Sequence, residues 1–392
     1  MGKSKVAIDI LKEIDPHETL SVLLLTNSET LRDVNWQAEF EKFGLADYYA
    51  SNVLSECYQT VHRWRDKHFD IVIADEIDFA MTPVYSQFFL YNDCTMILGL
   101  TGFCSEEKRE LLDLIAPVLF EYSTQQGQEN QLLNKSEIIT VQYLLSKENN
   151  IKVPKKAGGY FMTSENANYA YYDKEFQKAT IILAGLDKKK RLGLDVPEKD
   201  YITAQWKMKI MASKRKAILN NSETSVKVVK ELLLKIHANS GNKVLIFSAL
   251  TDQADKFGCP TYHGKKHSTE KDLDKLNSGV IKTLAVCKAI NRGVNLVGVN
   301  YIIRESFDSS ETDFMQTHGR LMRLNPGQVA KYIILVPHYE ALVRTETGSF
   351  KKVTIPTQAA RWSARMMTSF DPTSTHNIVL GTDLKLPVAT QL

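Results

Sequence analysis

Apolar positions along the chain fall into two similar patterned regions, separated by a stretch with a different character. Near the start, Val6, Ile10 and Ile14 recur at helical spacing until Asp15-Pro16 ends the run. Residues 20–26 (LSVLLLT) then predict a strand and residues 31–43 a helix. Further strands are predicted at 69–74 (FDIVIA) and 95–101 (TMILGLT). These runs are continuous and do not alternate, which is the pattern of strands covered on both faces in a parallel sheet. The pattern returns after Asn242, with strands predicted at 243–248 (KVLIFS), 283–287 (TLAVC), 299–303 (VNYII) and 331–336 (KYIILV). Two α/β units follow, with sites at the carboxyl ends of their strands.

The stretch from 121 to 241 is more polar. It holds a Gly158-Gly159 break, the tyrosines Tyr169, Tyr171 and Tyr172, and the run Lys188-Lys189-Lys190-Arg191. Farther on, Lys207, Lys209, Lys214, Arg215 and Lys216 mix with Trp206, Met208, Ile210 and Met211, as on the exposed face of a helix leading into the second unit. The expected organisation is a first domain at 1–135 and, at 136–225, the remainder of that domain with an insert and a helical connector. A second domain follows at 226–340 and a C-terminal extension at 341–392. The tyrosines read as a hairpin or small core, with base stacking the alternative. The basic run reads as a solvated loop, with a grip on nucleic acid the alternative.

A length of 392 residues suits two or three domains, and a net charge of +3 gives no general argument for a polyanionic partner. The five cysteines (Cys57, Cys94, Cys104, Cys259, Cys287) form no C-x-x-C pair and read as free thiols of a reducing compartment. No apolar run has the length needed to span a bilayer, so a cytoplasmic protein with no membrane partner is expected.

Candidate chemistry lies at the strand ends. Gly2-Lys3-Ser4 opens a helix, where backbone N–H groups, an ammonium and a hydroxyl suit phosphates and Mg²⁺. Asp75-Glu76-Ile77-Asp78 directly follows an apolar strand. Asp75 there suits Mg²⁺, and Glu76 suits the polarising of an attacking water. Thr101-Gly102 ends the next strand. Near the far end, Arg320 and Arg323 share a helix face in Gln316-Thr317-His318-Gly319-Arg320-Leu321-Met322-Arg323, and two guanidiniums on one face suit phosphate oxygens. Residues 291–295, with Gly293 and Asn295, offer a tight turn after a strand.

In this order and at these gaps the pieces resemble the motifs of the superfamily 2 helicases, nearest the phage and bacterial DNA helicases and their remodelling relatives. Gly2-Lys3-Ser4 resembles the end of motif I, and residues 26–40 motif Ia. Asp75–Asp78 resembles motif II, reading DEID where the DEAD and DEAH boxes differ, and Leu100-Thr101-Gly102 motif III. Residues 244–248 resemble motif IV, with Tyr262-His263-Gly264 after it. Residues 288–295 resemble motif V and residues 316–323 motif VI.

The resemblance implies two RecA-like parallel-sheet domains with ATP and Mg²⁺ in a central cleft, a first domain lacking its P-loop strand, and a middle insert. It implies catalytic roles for Glu76, Asp75, Arg320 and Arg323. Nucleotide contacts fall to Gly2, Lys3, Ser4, Gly293, Asn295 and Gln316, and the metal to Ser4 and Asp75. Strand contacts fall to Thr26, Arg32, Thr101, Gly102, Ser248, His263 and Lys288. The implied partner is DNA, single-stranded or branched, with RNA the alternative.

Two departures stand out. Phe103 occupies a position where motif III often carries a hydroxyl. Only one residue precedes Gly2, so the loop that cradles phosphate lacks its front. The sequence is then a fragment, a chain completed by an upstream polypeptide, or a motor that binds without hydrolysing, and the retained Lys3, Glu76 and arginines favour the first.

Overall fold

The computed structural model describes the chain except for residues 1, 30, 103, 156–157, 264–268, 288–295, 307–316, 318, 320–328, 369–374 and 381–392. Its contacts separate two units, one built chiefly on residues 1–133 and the other on most of the chain from 134 onward.

In the first unit the order is α1 (Lys3–Ile14), β1 (Val22–Thr26), a π-helical turn into α2 (Trp36–Lys42), α3 (Ala46–Asn52) and β2 (Val53–Cys57). There follow β3 (His68–Asp75), α4 (Gln87–Tyr91), β4 (Asp93–Leu100), α5 (Glu106–Ile115) and α6 (Thr124–Glu129). The sheet runs β2-β1-β3-β4 with every pair parallel. Alternate residues of β1 and β3 feed two cores, as a strand's two faces require. Val22, Leu24, Ile71 and Ile73 pack under Ala7, Ile8, Leu11, Trp36 and Phe40. Leu23, Leu25, Val72 and Ala74 pack against Tyr58, Val61, Ile77, Phe88 and Leu112.

Two sequence expectations change here. The helix at the start is present, but its buried face is Ala7, Ile8 and Leu11. Val6 is 50% exposed, because the stripe that meets the sheet lies beside the one that the spacing of Val6, Ile10 and Ile14 picked out. β4 was expected to be covered on both faces, yet it is an edge strand with much of its length accessible. A continuous apolar run does not reveal which strand has two neighbours.

The second unit contains β5 (Ser136–Leu144), the hairpin of β6 (Ile151–Pro154) and β7 (Tyr160–Thr163), α7 (Glu165–Arg191), α8 (Glu198–Asn220) and α9 (Glu223–Ile236). Then come β8 (Val244–Ser248), α10 (Thr251–Ala254), β9 (Thr261–Tyr262), α11 (Thr269–Ser278), β10 (Thr283–Cys287) and β11 (Tyr301–Arg304). β12 (Ala330–Arg344), β13 (Phe350–Pro356), α12 (Gln358–Thr368) and β14 (Thr375–Leu380) complete it. The sheet order is β14-β5-β12-β11-β8-β10-β9, parallel along this path, with β13 antiparallel to the far end of β12.

Residues 136–225 were expected partly to finish the first domain. Instead β5 lies between β12 and β14, where Ile138, Ile139 and Val141 are wholly buried. The residues after 341 were expected as an extension, and β13 and β14 join this same sheet. Strand pairing across nearly two hundred residues leaves no local trace in the chain.

α7 and α8 form a helical hairpin. Contacts between Asp173 and Arg215, Glu175 and Lys207, and Lys190 and Tyr201 run in opposite sequence directions, so the two helices are antiparallel. Its base is fixed by a buried network. Arg215 donates to Asp173 and to Gln358 Oε1 (2.6 Å), Tyr339 Oη donates to Asp173 Oδ2 (2.8 Å), and Gln358 N donates to Tyr169 Oη (2.9 Å). Tyr169 is fully buried and its ring lies 5.0 Å from that of Tyr339, so it serves the core reading of the tyrosine group, whereas Tyr171 is exposed.

Candidate nucleotide site and the buried acids

Within the first unit, the carboxyl end of β3 and the amino end of α1 come together. Lys3 Nζ donates to Glu76 Oε1 at 2.6 Å and stands 3.8 Å from Asp75 Oδ1. Asp75 is further held by Trp36 Nε1 on Oδ2 (3.1 Å) and by the Glu76 backbone N–H on Oδ1 (3.1 Å), and Tyr58 Oη donates to its carbonyl (3.0 Å). Burial pushes the Asp75 carboxyl above its ordinary range, and the Lys3 ammonium acts in the opposite direction. Glu76 has a left-handed backbone (φ 51°), uncommon for a residue with a side chain. Its Oε2 is buried and has no hydrogen-bond partner among the described residues. A buried carboxylate oxygen without a donor is costly, and such an atom in a site is a place for a ligand or water to bind.

Gly2 caps α1 in the left-handed region (φ 60°), a conformation glycine adopts without steric cost, and no side chain caps the helix. The first N–H groups of a helix lack intrahelical acceptors, so this end presents donors and a partial positive charge. Ser4 is half-buried in that first turn. Gly102 borders the same place, since a Cβ there would lie 4.0 Å from Lys3 Nζ. Thr101 Oγ1 donates to Asp78 Oδ1 (2.9 Å) and Lys108 Nζ to Asp78 Oδ2 (3.2 Å), which ties the end of β4 and α5 to the turn after β3. Gly2, Lys3, Ser4, Asp75, Glu76, Thr101 and Gly102, read from the sequence, thus share one neighbourhood. Trp36, Tyr58, Asp78 and Lys108 complete it. Trp36 lay inside the motif Ia segment, but no spacing announces that its indole reaches an acid 39 positions away.

The remaining sequence candidates are placed differently. Thr26 is fully buried, with its hydroxyl donating to the Ser28 carbonyl (3.1 Å). The Arg32 guanidinium pairs with the adjacent Asp33. In the second unit Ser248 is buried and donates to Glu305 Oε2 (3.1 Å), and His263 is buried 3.7 Å from Asp255. Lys288, Gly293, Asn295, Gln316, Arg320 and Arg323 lie outside the described residues.

The second unit has its own acid at a strand end, which sequence reading missed. Glu305 follows β11 and accepts from Ser225 Oγ (2.5 Å), Gln253 Nε2 (3.1 Å) and Ser248 Oγ. Burial pushes its carboxyl up to about 7, against the pull of these donors. A second missed acid, Glu165, the first residue of α7, is buried against the amino end of α9, where it accepts from the backbone N–H groups of Glu223 (2.7 Å) and Thr224 (3.2 Å). That is a helix-terminus cap contributed from a distance. Neither acid belongs to a sequence motif, so no local signal marked them. Among the described residues no group of three or more His, Cys, Asp or Glu side chains is arranged to hold a metal ion. No described helix is long and apolar enough to cross a membrane.

With this geometry in hand, residues 224–325 match the helicase conserved C-terminal domain. The fold of the chain is similar to Saccharomyces cerevisiae Dbp5 bound to RNA and ADP BeF3. The two are 12% identical with a TM-score of 0.53, over 98% of this chain and 83% of that one. The Pyrococcus furiosus Hef helicase domain is also similar, at 13% identity and a TM-score of 0.49, covering 93% of each chain. No curated protein matches the chain. Residues 224–325 thus form a helicase C-terminal domain by sequence, and the chain as a whole, with its two parallel-sheet units, shares the fold of Dbp5.

Proposed function

We propose that this chain is an ATP-hydrolysing motor that moves along or separates nucleic acid, with DNA as its polymer. The observation that carries the reading is the pairing of Lys3 with Glu76 and Asp75 beside the open amino end of α1, with Glu76 Oε2 buried and unpartnered among the described residues. The residues fit a magnesium nucleotide. The helix N–H groups and Lys3 Nζ supply positive charge for the β and γ phosphates, and Ser4 and Asp75 supply oxygen ligands for the metal. Bound there, Mg²⁺ would neutralise charge developing on the phosphate oxygens.

The protein's own groups do the rest. Lys3 exchanges its carboxylate partners for phosphate, which frees Glu76. Glu76 Oε1 and Oε2 then orient a water and accept its proton. Trp36 and the Glu76 N–H keep Asp75 turned toward the site. Thr101 and Lys108, through Asp78, link the site to the end of β4 and to α5, a route by which nucleotide state reaches the surface that grips a strand. Arg320 and Arg323 are proposed to complete the charge stabilisation.

The test is polymer-stimulated ATP hydrolysis by the full chain and by Glu76→Gln, with single-stranded DNA, duplex DNA and RNA. Hydrolysis that falls by about a hundredfold or more in the variant, with nucleotide binding retained, supports the reading. Equal rates in both proteins would sink it. RNA is the second reading, favoured by the fold's likeness to Dbp5, which was solved with RNA and a nucleotide analogue. The same assay ranks the polymers. A motor that binds without hydrolysing would show nucleotide affinity and no turnover with any of them.

A further inference from the structure

The hairpin of α7 and α8 carries a charge imbalance that the rest of the molecule lacks. Residues 165–220 hold twelve Lys and Arg against seven Asp and Glu, a net of +5 where the whole chain has +3, so the remainder is slightly acidic. Two of the seven acids, Glu165 and Asp173, are buried and consumed at the hairpin's base. From Tyr201 to Asn220, α8 has no acid at all.

The exposed face of α8 is ordered as well as basic. Ile202, Trp206 and Ile210 follow one another at four-residue spacing and are 43%, 62% and 46% exposed. Ala204 and Arg215 are buried on the other side, against the hairpin partner. Lys209 lies three positions from Trp206 on one flank of the apolar row, and Lys214, four from Ile210, continues the row. Both are exposed, and neither engages an acid among the described residues. Lys207 lies on the flank opposite Lys209 and is drawn partly to Glu175 at 3.4 Å. The tip continues the charge with exposed Lys188, Lys189 and Arg191, while Lys190 sits 3.7 Å over the Tyr201 ring. The buried Asp173–Arg215 network holds the arm to the second unit's sheet, so this face is presented from a fixed base.

We propose that the exposed face of α8 is a track for single-stranded nucleic acid, with unstacked bases against Trp206 and the isoleucines and phosphates on the flanking lysines. A row of apolar and aromatic side chains flanked by Lys207 and Lys209 and continued by Lys214 matches a strand whose bases are free to stack. It offers nothing to a duplex, whose bases are already stacked inside. At 1.5 Å rise per residue, the distance from Ile202 to Lys214 is about 18 Å, enough for several nucleotides. The choice of polymer rests on the motor reading above, but the surface is tested without ATP.

The experiment measures binding of the full chain to labelled dT and rU oligomers, and to a duplex, across a salt series. Trp206→Ala weakens single-strand binding about five- to tenfold, whereas Trp206→Phe retains most of it, because a ring still stacks. Lys209→Glu with Lys214→Glu weakens binding further and flattens the salt dependence by about 0.7 for each lysine removed. Lys230→Glu, an exposed charge reversal on α9, changes nothing. The fluorescence difference between wild type and Trp206→Ala is quenched by the single strand. Unchanged affinity in both α8 variants overturns the proposal, as does binding to duplex alone, or to anionic vesicles or acidic polypeptide in preference to the oligomers. DNA against RNA is read from the two oligomers. A protein that binds strands through α8 yet never hydrolyses ATP sinks the motor reading and leaves the track standing.

Discussion

Each unit places an acid just beyond a buried parallel strand, and the two acids are treated in opposite ways. At the end of β3, Asp75 and Glu76 face one ammonium, and an oxygen of Glu76 has no donor among the described residues. After β11, Glu305 is surrounded by neutral donors, with two hydroxyls and an amide on its two oxygens. An ion pair beside an open helix terminus can exchange its partner for phosphate at little net cost, because charge replaces charge. A carboxyl sealed among hydroxyls has nothing to exchange and is held near neutrality instead. The contrast teaches that a perturbed acid at a strand end is a binding candidate when its partners are ionic and incomplete. When they are neutral and complete it is structural.

The largest expected effect comes from a third buried acid, Asp173, whose partner is a full cation. Arg215→Met leaves Asp173 buried with the neutral donors Tyr339 and Gln177 and only the half-exposed Arg361, at 3.8 Å, as a cation, and should cost about 3 kcal/mol in urea unfolding. A loss under about 1 kcal/mol would mean that this pair does not anchor the hairpin. Lys3→Ala comes next. It should lower ATP affinity about ten- to a hundredfold, the worth of a charge-assisted contact to phosphate, with little change in unfolding midpoint. Isothermal titration with ATP and Mg²⁺ checks this, and unaltered affinity would erase the distinction between the two acids.

Glu305→Gln sharpens the comparison from the other side. The folded carboxyl stays protonated up to about 7, against an ordinary value of 4.5, so the folded state holds an extra proton between these values. Stability is therefore lost as pH rises through that window, at roughly 1.4 kcal/mol per unit for this group. Glutamine should flatten the slope between pH 5 and 7 in urea unfolding while leaving ATP affinity alone. A variant with the wild-type slope would show that another group titrates there. The smallest effect is Trp36→Phe. It removes one donor from Asp75 and keeps the ring in the core, and should cost about 1 kcal/mol in stability and a few-fold in hydrolysis. Hydrolysis equal to wild type would mean that the indole does not position Asp75.

Much of the first unit's site was legible because its chemistry lies in short segments. Gly2-Lys3-Ser4 and Asp75-Glu76 are each a weak signal alone; their residue types, their place at the end of an element and their order along the chain together marked them as candidates, and the fold brings them together. The supporting residues were not legible. Trp36 reaches across 39 positions and Lys108 across 30, and neither is close to its partner in sequence. Ser248 and Thr26 show the converse error of local reading. Each stands at the end of a strand, where a hydroxyl suits a strand contact, yet each turns inward to an acceptor nearby.

By itself the sequence determined most of the strands, the two parallel-sheet units and the candidate residues that meet at the end of β3, because each of these is encoded within a few neighbouring positions, although the run Lys188–Arg191, read as a loop, closes the helix α7. The tertiary structure alone decided that β5 and β14 belong to the second sheet, that β4 is an edge, and which acids are paired, open or sealed. Those outcomes depend on which distant segments meet, and burial and hydrogen bonding are properties of the meeting, not of the residue.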